Sequence, residues 1–155
     1  MSYVDRILQP NETVTYRGAL HWVIYLSGLA FSLAALAAAV AGLYLRTQSG
    51  RYGLSAVAAI LIVVGLAQLA SAWLKSMSTE IIVTNRRVIY KTGLISRNTI
   101  EMNLDKIESV LVQQDILGRI LDYGTLIVRG VGSGMEPVSN VAAPLKLHQY
   151  LNAPV

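Results

Sequence analysis

The chain has no cysteine, two histidines and one phenylalanine in 155 residues. Without thiols there are no disulfides, zinc-thiolate sites or cysteine nucleophiles, and His21 and His148 alone are too few for a histidine-based metal site. Charge is scarce as well: Asp, Glu, Lys and Arg make up 14 % of the residues against a hydrophobic share of 54 %. A soluble domain carries about 25 % charged residues, so the composition excludes an ordinary globule and points to a membrane protein. The charges are missing in blocks, since residues 20–45 and 52–74 contain no Asp, Glu, Lys or Arg.

A helix needs about 20 apolar residues to cross a ~30 Å hydrocarbon layer. Residues 20–45 and 52–74 both reach that length and are predicted as two transmembrane helices, joined by the turn "RTQSGR" at 46–51. So short a turn makes a helical hairpin and puts residues 1–19 on the same side as everything after the second span. His21, Trp22 and Tyr25, then Tyr44 and Tyr52, then Trp73 fall where interfacial aromatics belong. Residues 1–19 include Asp5 and Glu12, unlike the basic lead of a secretory signal, so the first run reads as a span and not as a cleaved leader. Arg6, Arg17, Lys75, Arg86, Arg87 and Lys91 near the span ends outnumber Arg46 and Arg51 in the turn, which places both termini in the cytoplasm. Ala34, Ala38 and Gly42 put small side chains on one helical face, for packing either within the hairpin or between copies of a homo-oligomer.

After Ser78 the pattern changes to period-two alternation. Strands are expected at about residues 79–84, 86–91, 95–103, 107–113, 124–129 and 136–141, with Asn85 and Gly93 as turn signals. "ILGRIL" makes one helical turn before "DYGT" restarts the sheet, and Pro144 opens a short helix with Leu147, Tyr150 and Leu151 on one face. "ETVTYRG" at 12–18 also alternates; it is either an irregular juxtamembrane arm or a strand that must join the later sheet.

The hairpin "IVTNRRVIYKTGLISRNT" at 82–99 carries Arg86, Arg87, Lys91 and Arg97 and no acid. These four bases are candidate membrane-surface contacts, each worth about 1 kcal/mol beside an anionic leaflet, nonspecifically. The competing reading is a solvated or protein-facing strand surface. Nucleic acid is not expected, because six acids after Ile100 dilute the positive field and aromatics are not interleaved with the bases. No catalytic, cofactor-binding or metal-ligating set is found: Asp105 and Glu108 flank a strand start, and "GVGSG" at 130–134 lacks the Lys-Ser/Thr of a phosphate loop.

Four motifs stand in order: "TNRR" at 84–87, Gly93-Leu94 before Arg97, "DKIESV" at 105–110 and "LGRILDYGT" at 117–125. Together they resemble the bacterial pleckstrin-homology-like domain of membrane-flanked proteins over about residues 79–141, and the paired spans ahead of them match that family's layout. The resemblance implies a small bent or partly open β-barrel closed by a C-terminal helix, with no family-wide catalytic residue or cofactor. Two departures are visible: the closing helix is short, and six strands fall one short of seven unless residues 12–18 supply the other.

The expectation is therefore an α+β membrane protein: a two-helix transmembrane hairpin, then a cytoplasmic pleckstrin-homology-like domain over residues 79–152. Located in the bacterial inner membrane, it would be a non-catalytic binding or scaffolding module that contacts anionic lipid, a protein partner, or both, and self-associates. The alternative is an accessory subunit of an export or transport complex.

Overall fold

The computed structural model of the chain describes residues 9–93, 98–134 and 137–152. It divides into two compact units, Trp22–Lys75 and the remainder, Met1–His21 with Ser76–Val155.

The first unit is helical. A 3-10 turn at Trp22–Tyr25 leads into α1 (Leu26–Tyr44), and α2 runs over Gln48–Ser78. Both are long and apolar enough to cross a membrane, and only 11 % of each apolar stretch is buried. A helix that shows apolar side chains on nearly every face has no side suited to water. What the unit buries is small: Gly28, Ala35 and Gly42 in α1, and Ala58, Gly65 and Ala72 in α2. Both series step by seven residues, a repeat that stays on the facing side of a helix pair. A side-chain carbon at Gly28 would lie 2.6 Å from Leu69 Cγ, and one at Gly65 would lie 2.7 Å from Ser32 Oγ, so glycine is what lets the helices touch. Of the expected Ala34, Ala38 and Gly42 stripe, Gly42 lies in this seam, Ala38 is half-buried and Ala34 is exposed. A four-residue step advances about 40° around the helix each time and leaves the seam, whereas a seven-residue step drifts by only about 20°.

Among the described residues the second unit has eight strands. β1 (Val14–Gly18), β2 (Glu80–Thr84), β3 (Arg87–Thr92) and β4 (Asn98–Asn103) form one antiparallel sheet in that order. Part of "ETVTYRG" is thus a strand, with Tyr16 opposite Val83 and Gly18 opposite Ile81. The entire helical unit is the connection between neighbouring strands β1 and β2. A 3-10 turn, Leu104–Lys106, carries the chain into the second sheet. There β5 (Ile107–Gln113) pairs with the central β6 (Tyr123–Gly130), whose other side takes β7 (Ser133–Gly134) and β8 (Val138–Ala142). α3 (Ile116–Leu121) lies between β5 and β6, and α4 (Pro144–Asn152) follows β8.

Among the described residues the strands form two sheets and do not close into a barrel. β4 and β5 belong to different sheets because the 3-10 turn redirects the chain between them. The sheets join instead at the other side, where Leu20 bridges Val141, Ala142 N–H donates to Ala19 O (2.9 Å) and His21 N–H donates to Asn140 O (2.7 Å). Ile81, Val83 and Val88 share a core with Leu126, Val128 and Val141, and α4 covers it with Leu147 and Leu151. Tyr150 stacks on Tyr16 at 4.9 Å, and burial raises the Tyr16 phenol above its ordinary pKa. β5 has the bounds expected from its alternation. β7 was not anticipated: "GVGSG" is the β6–β7 turn, with Gly132 at φ 78°, so the glycines serve a tight reversal and not a phosphate cradle.

Candidate functional site

The basic turn "TNRR" between β2 and β3 is a clamp on the N-terminal segment. Glu12 comes out of a tight turn in which its N–H donates to Gln9 O (3.0 Å) and the Gln9 N–H donates to its Oε2 (2.9 Å). The Thr84 hydroxyl donates to Glu12 Oε1 at 2.8 Å and accepts from the N–H groups of Arg86 and Arg87. Arg87 grips both Glu12 oxygens, Nε to Oε1 at 2.9 Å and Nη2 to Oε2 at 2.8 Å, and Nη1 reaches Glu101 at 2.7 Å. Asn85 completes the clamp: its Oδ1 accepts from Thr13 N–H, its own N–H donates to Thr13 O, and its Nδ2 donates to Asn11 O. Thr84, Asn85 and Arg87 each therefore hold residues 11–13.

The Glu12 side chain is 0 % exposed and that of Arg87 13 %. A bidentate guanidinium–carboxylate pair out of water is among the stronger ion pairs a fold can make. The Arg87 guanidinium holds the Glu12 carboxyl at about 2, well below its ordinary 4.5, with burial pulling the other way. Glu12 in turn raises the pKa of Arg87. With each Glu12 oxygen taking two donors, this carboxylate is arranged to stay charged and not to exchange protons with a substrate.

Of the four candidate lipid-contact bases, Arg86, Arg87 and Lys91 are among the described residues. Arg87 is engaged with Glu12 and Glu101. Lys91 stands opposite Glu80 in the β2–β3 register, its Nζ 4.0 Å from Oε1, whereas Arg86 lies exposed at the turn. At about 3.3 Å per residue, that turn is roughly 20 Å along β2 from Glu80, where the strand follows α2. Arg97 lies outside the described residues, as does Arg6. The Glu12–Arg87 pair was not legible in the sequence because 75 residues separate its members. The available signal was a lone acid beside β1 and a surplus of bases in the β2–β3 hairpin.

A second constellation surrounds α3. A side-chain carbon at Gly118 would lie 2.6 Å from Tyr123 O, and one at Gly124 would lie 2.7 Å from Gln113 O. Gln114 Nε2 ties the two ends of the segment together by donating to Gly118 O (3.2 Å) and Tyr123 O (3.0 Å). Asp122 ends the helix in the left-handed region at φ 58°, its N–H bonded to Gly118 O, and its carbonyl accepts from Ala143 N–H at 2.9 Å. Tyr123 then stacks on His21 at 5.4 Å. "LGRILDYG" is thus the sequence of a rigid corner.

Among the described residues no three His, Cys, Asp or Glu side chains come together in a way that could hold a metal ion. The family model described as Bacterial PH domain matches residues 23–155. That range begins after β1, so the first strand and Glu12 lie outside the match. No curated protein and no solved structure matches the chain.

Proposed function

The chain belongs to the bacterial PH-domain family, and from that premise we propose that it is a membrane-tethered, non-catalytic binding module. The helical hairpin spans the bacterial inner membrane with both termini in the cytoplasm, and the two-sheet domain presents a docking surface beside the bilayer. The observation that carries this reading is the pairing of β1 with β2 on either side of the hairpin. The chain leaves one strand, passes through two apolar helices and returns to the adjacent strand, so an even number of crossings is required. The connections are short: three residues separate β1 from Trp22, and Thr79 alone separates α2 from β2. A domain held that closely stays at the membrane surface.

The partner in this reading is a protein, a lipid surface, or both. β4 and β5 are open sheet edges among the described residues, and an open edge can pair with a strand of another molecule. This supports scaffolding and self-association. Arg86 and Lys91 add a nonspecific, salt-sensitive attraction to anionic headgroups.

The test is extraction. The chain should stay with membranes through high-salt and alkaline washes, leave only in detergent, and show an oligomer mass in nanodiscs. Release by salt would contradict the tether, and a monomer mass would remove self-association. Stoichiometric co-purification of a different membrane protein would recast the chain as an accessory subunit.

A further inference from the structure

Most large apolar side chains of the sheet domain are buried; Leu111 on β5 and Val131 on the β6–β7 turn are exposed one at a time, whereas at one corner several are exposed together. On α3, Ile116 is 79 % exposed, Leu117 61 % and Ile120 73 %, and Leu145 at the start of α4 is 56 % exposed. Residues 116 and 120 are one turn apart, and 117 lies beside both, so the three form a continuous apolar face. Leu145 lies nearby, lining a groove with Arg119 and Asp122 of the same corner.

This face is held out by construction. Gly118 is the buried residue of α3, its lack of a side chain allowing the helix to rest on Tyr123 O, and Gln114 pins both ends. Turned that way, the helix cannot fold its isoleucines into the core. The corner is also positioned: Tyr123, two residues past α3, stacks on His21, and the next residue, Trp22, begins the first apolar stretch. Ile120 is three residues from Tyr123, so at about 3.5 Å per residue it lies within roughly 11 Å of the backbone of the residue that stacks on His21. The headgroup layer on one side of a bilayer is itself about 5–8 Å thick.

We propose that α3 is a membrane foot: a short apolar helix that enters the boundary between headgroups and acyl chains and fixes the orientation of the sheet domain on the bilayer. The occupant of the apolar face is lipid. Arg119 is exposed on the same helix and reaches to headgroup phosphate, but exposed Asp115 and Asp122 flank it, so charge is not the attraction. Burial of apolar surface is, and the insertion is therefore independent of salt and of anionic lipid. This proposal rests on the hairpin being the anchor.

The absence of cysteine makes the test direct. The full chain carrying Leu117→Cys with an environment-sensitive fluorophore is reconstituted into neutral phosphatidylcholine vesicles that contain spin-labelled lipid, and flotation establishes anchoring. Asp105→Cys is the control, since it lies beyond the opposite end of the seven-residue β5. The position 117 label is expected to be blue-shifted and quenched by the lipid-borne spin label, equally at low and high salt and with or without anionic lipid. The position 105 label should be quenched only by soluble reagents. Adding Ile116→Ser and Ile120→Ser, both at exposed sites, should reduce the lipid-borne quenching. Flotation with a water-exposed label at 117 overturns the foot alone. A blue-shifted label that lipid does not quench means a protein or a second copy covers the face, which also overturns it. Failure to float removes the anchored reading and this proposal with it.

Discussion

Val63 and Val131 are almost equally exposed, at 65 % and 68 %, yet they belong to regions built for different surroundings. Val63 stands at the middle of α2, where the neighbours around the helix are apolar and the buried seam is made of Gly and Ala. Val131 stands on the β6–β7 turn of a domain whose large apolar side chains are mostly inside and whose surface carries the charges. The hairpin is packed with small groups in and large groups out, and the sheet domain the reverse. Exposure alone does not say what a residue faces; the composition of the region around it does. The sheet domain also buries a charge, Glu12, which the hairpin nowhere does, and it does so only with that charge fully paired.

The comparison is most strongly tested at that pair. Arg87→Met leaves a buried carboxylate without its partner and should destabilise the sheet domain by about 3 kcal/mol, toward the low end for a broken buried pair because the guanidinium keeps some water contact. Thermal unfolding in mild detergent reads this, and a change below about 0.5 kcal/mol would mean the clamp is a surface pair. Next is the valine pair itself. Val63→Lys should impair membrane insertion by roughly 2.5–3 kcal/mol, the cost of lysine at a span centre, while Val131→Lys stays within about 0.5 kcal/mol. Equal effects at both positions would erase the distinction between the regions.

A pH series sharpens the same contrast. The folded-state pKa of Glu12 lies at about 2, below its ordinary 4.5, so its contribution is complete above about 4.5 and is lost as pH falls through 4.5 toward 2. The stability difference between the native chain and Glu12→Gln should be constant above pH 5 and shrink below it. A difference that stays flat down to pH 2 would show that the carboxylate is not held by Arg87. The smallest effect is at the exposed bases: Arg86→Gln with Lys91→Gln should weaken the domain's attraction to anionic lipid by less than about 1 kcal/mol per residue, and salt should abolish that difference.

Much of the fold was legible because local patterns decide it. Long uncharged runs are the two helices, period-two alternation marks β2, β3 and β5, and the i+3 and i+4 spacing of Leu147, Tyr150 and Leu151 is the inner face of α4. What was not legible depends on distant partners. Residues 12–18 alternate like a strand, but only pairing with β2, some 65 residues later, makes them one. The bases of the β2–β3 hairpin stand together in the sequence, but their acidic neighbours do not: the register sets Lys91 opposite Glu80 and the turn brings Arg87 to Glu12. In the alanine-rich α1 several stripes of small residues are possible, and the choice of Gly28, Ala35 and Gly42 is made by α2. "ILGRIL" reads as a helical turn, but nothing in its spacing tells that Gly118 faces inward and the isoleucines outward.

The central claim is that the sheet domain closes around the two ends of a membrane hairpin, and single cysteines in this cysteine-free chain test it most directly. Pro10, Ser49 and Glu108 are exposed positions before β1, at the start of α2 and in β5. Each is changed to cysteine and offered an impermeant thiol reagent in intact and in permeabilised cells. The expected result is labelling of Ser49→Cys in intact cells, with Pro10→Cys and Glu108→Cys labelled only after permeabilisation. Labelling of Pro10→Cys and Glu108→Cys from opposite sides would contradict the pairing of β1 with β2 across the hairpin, and with it the tethered module built on that pairing.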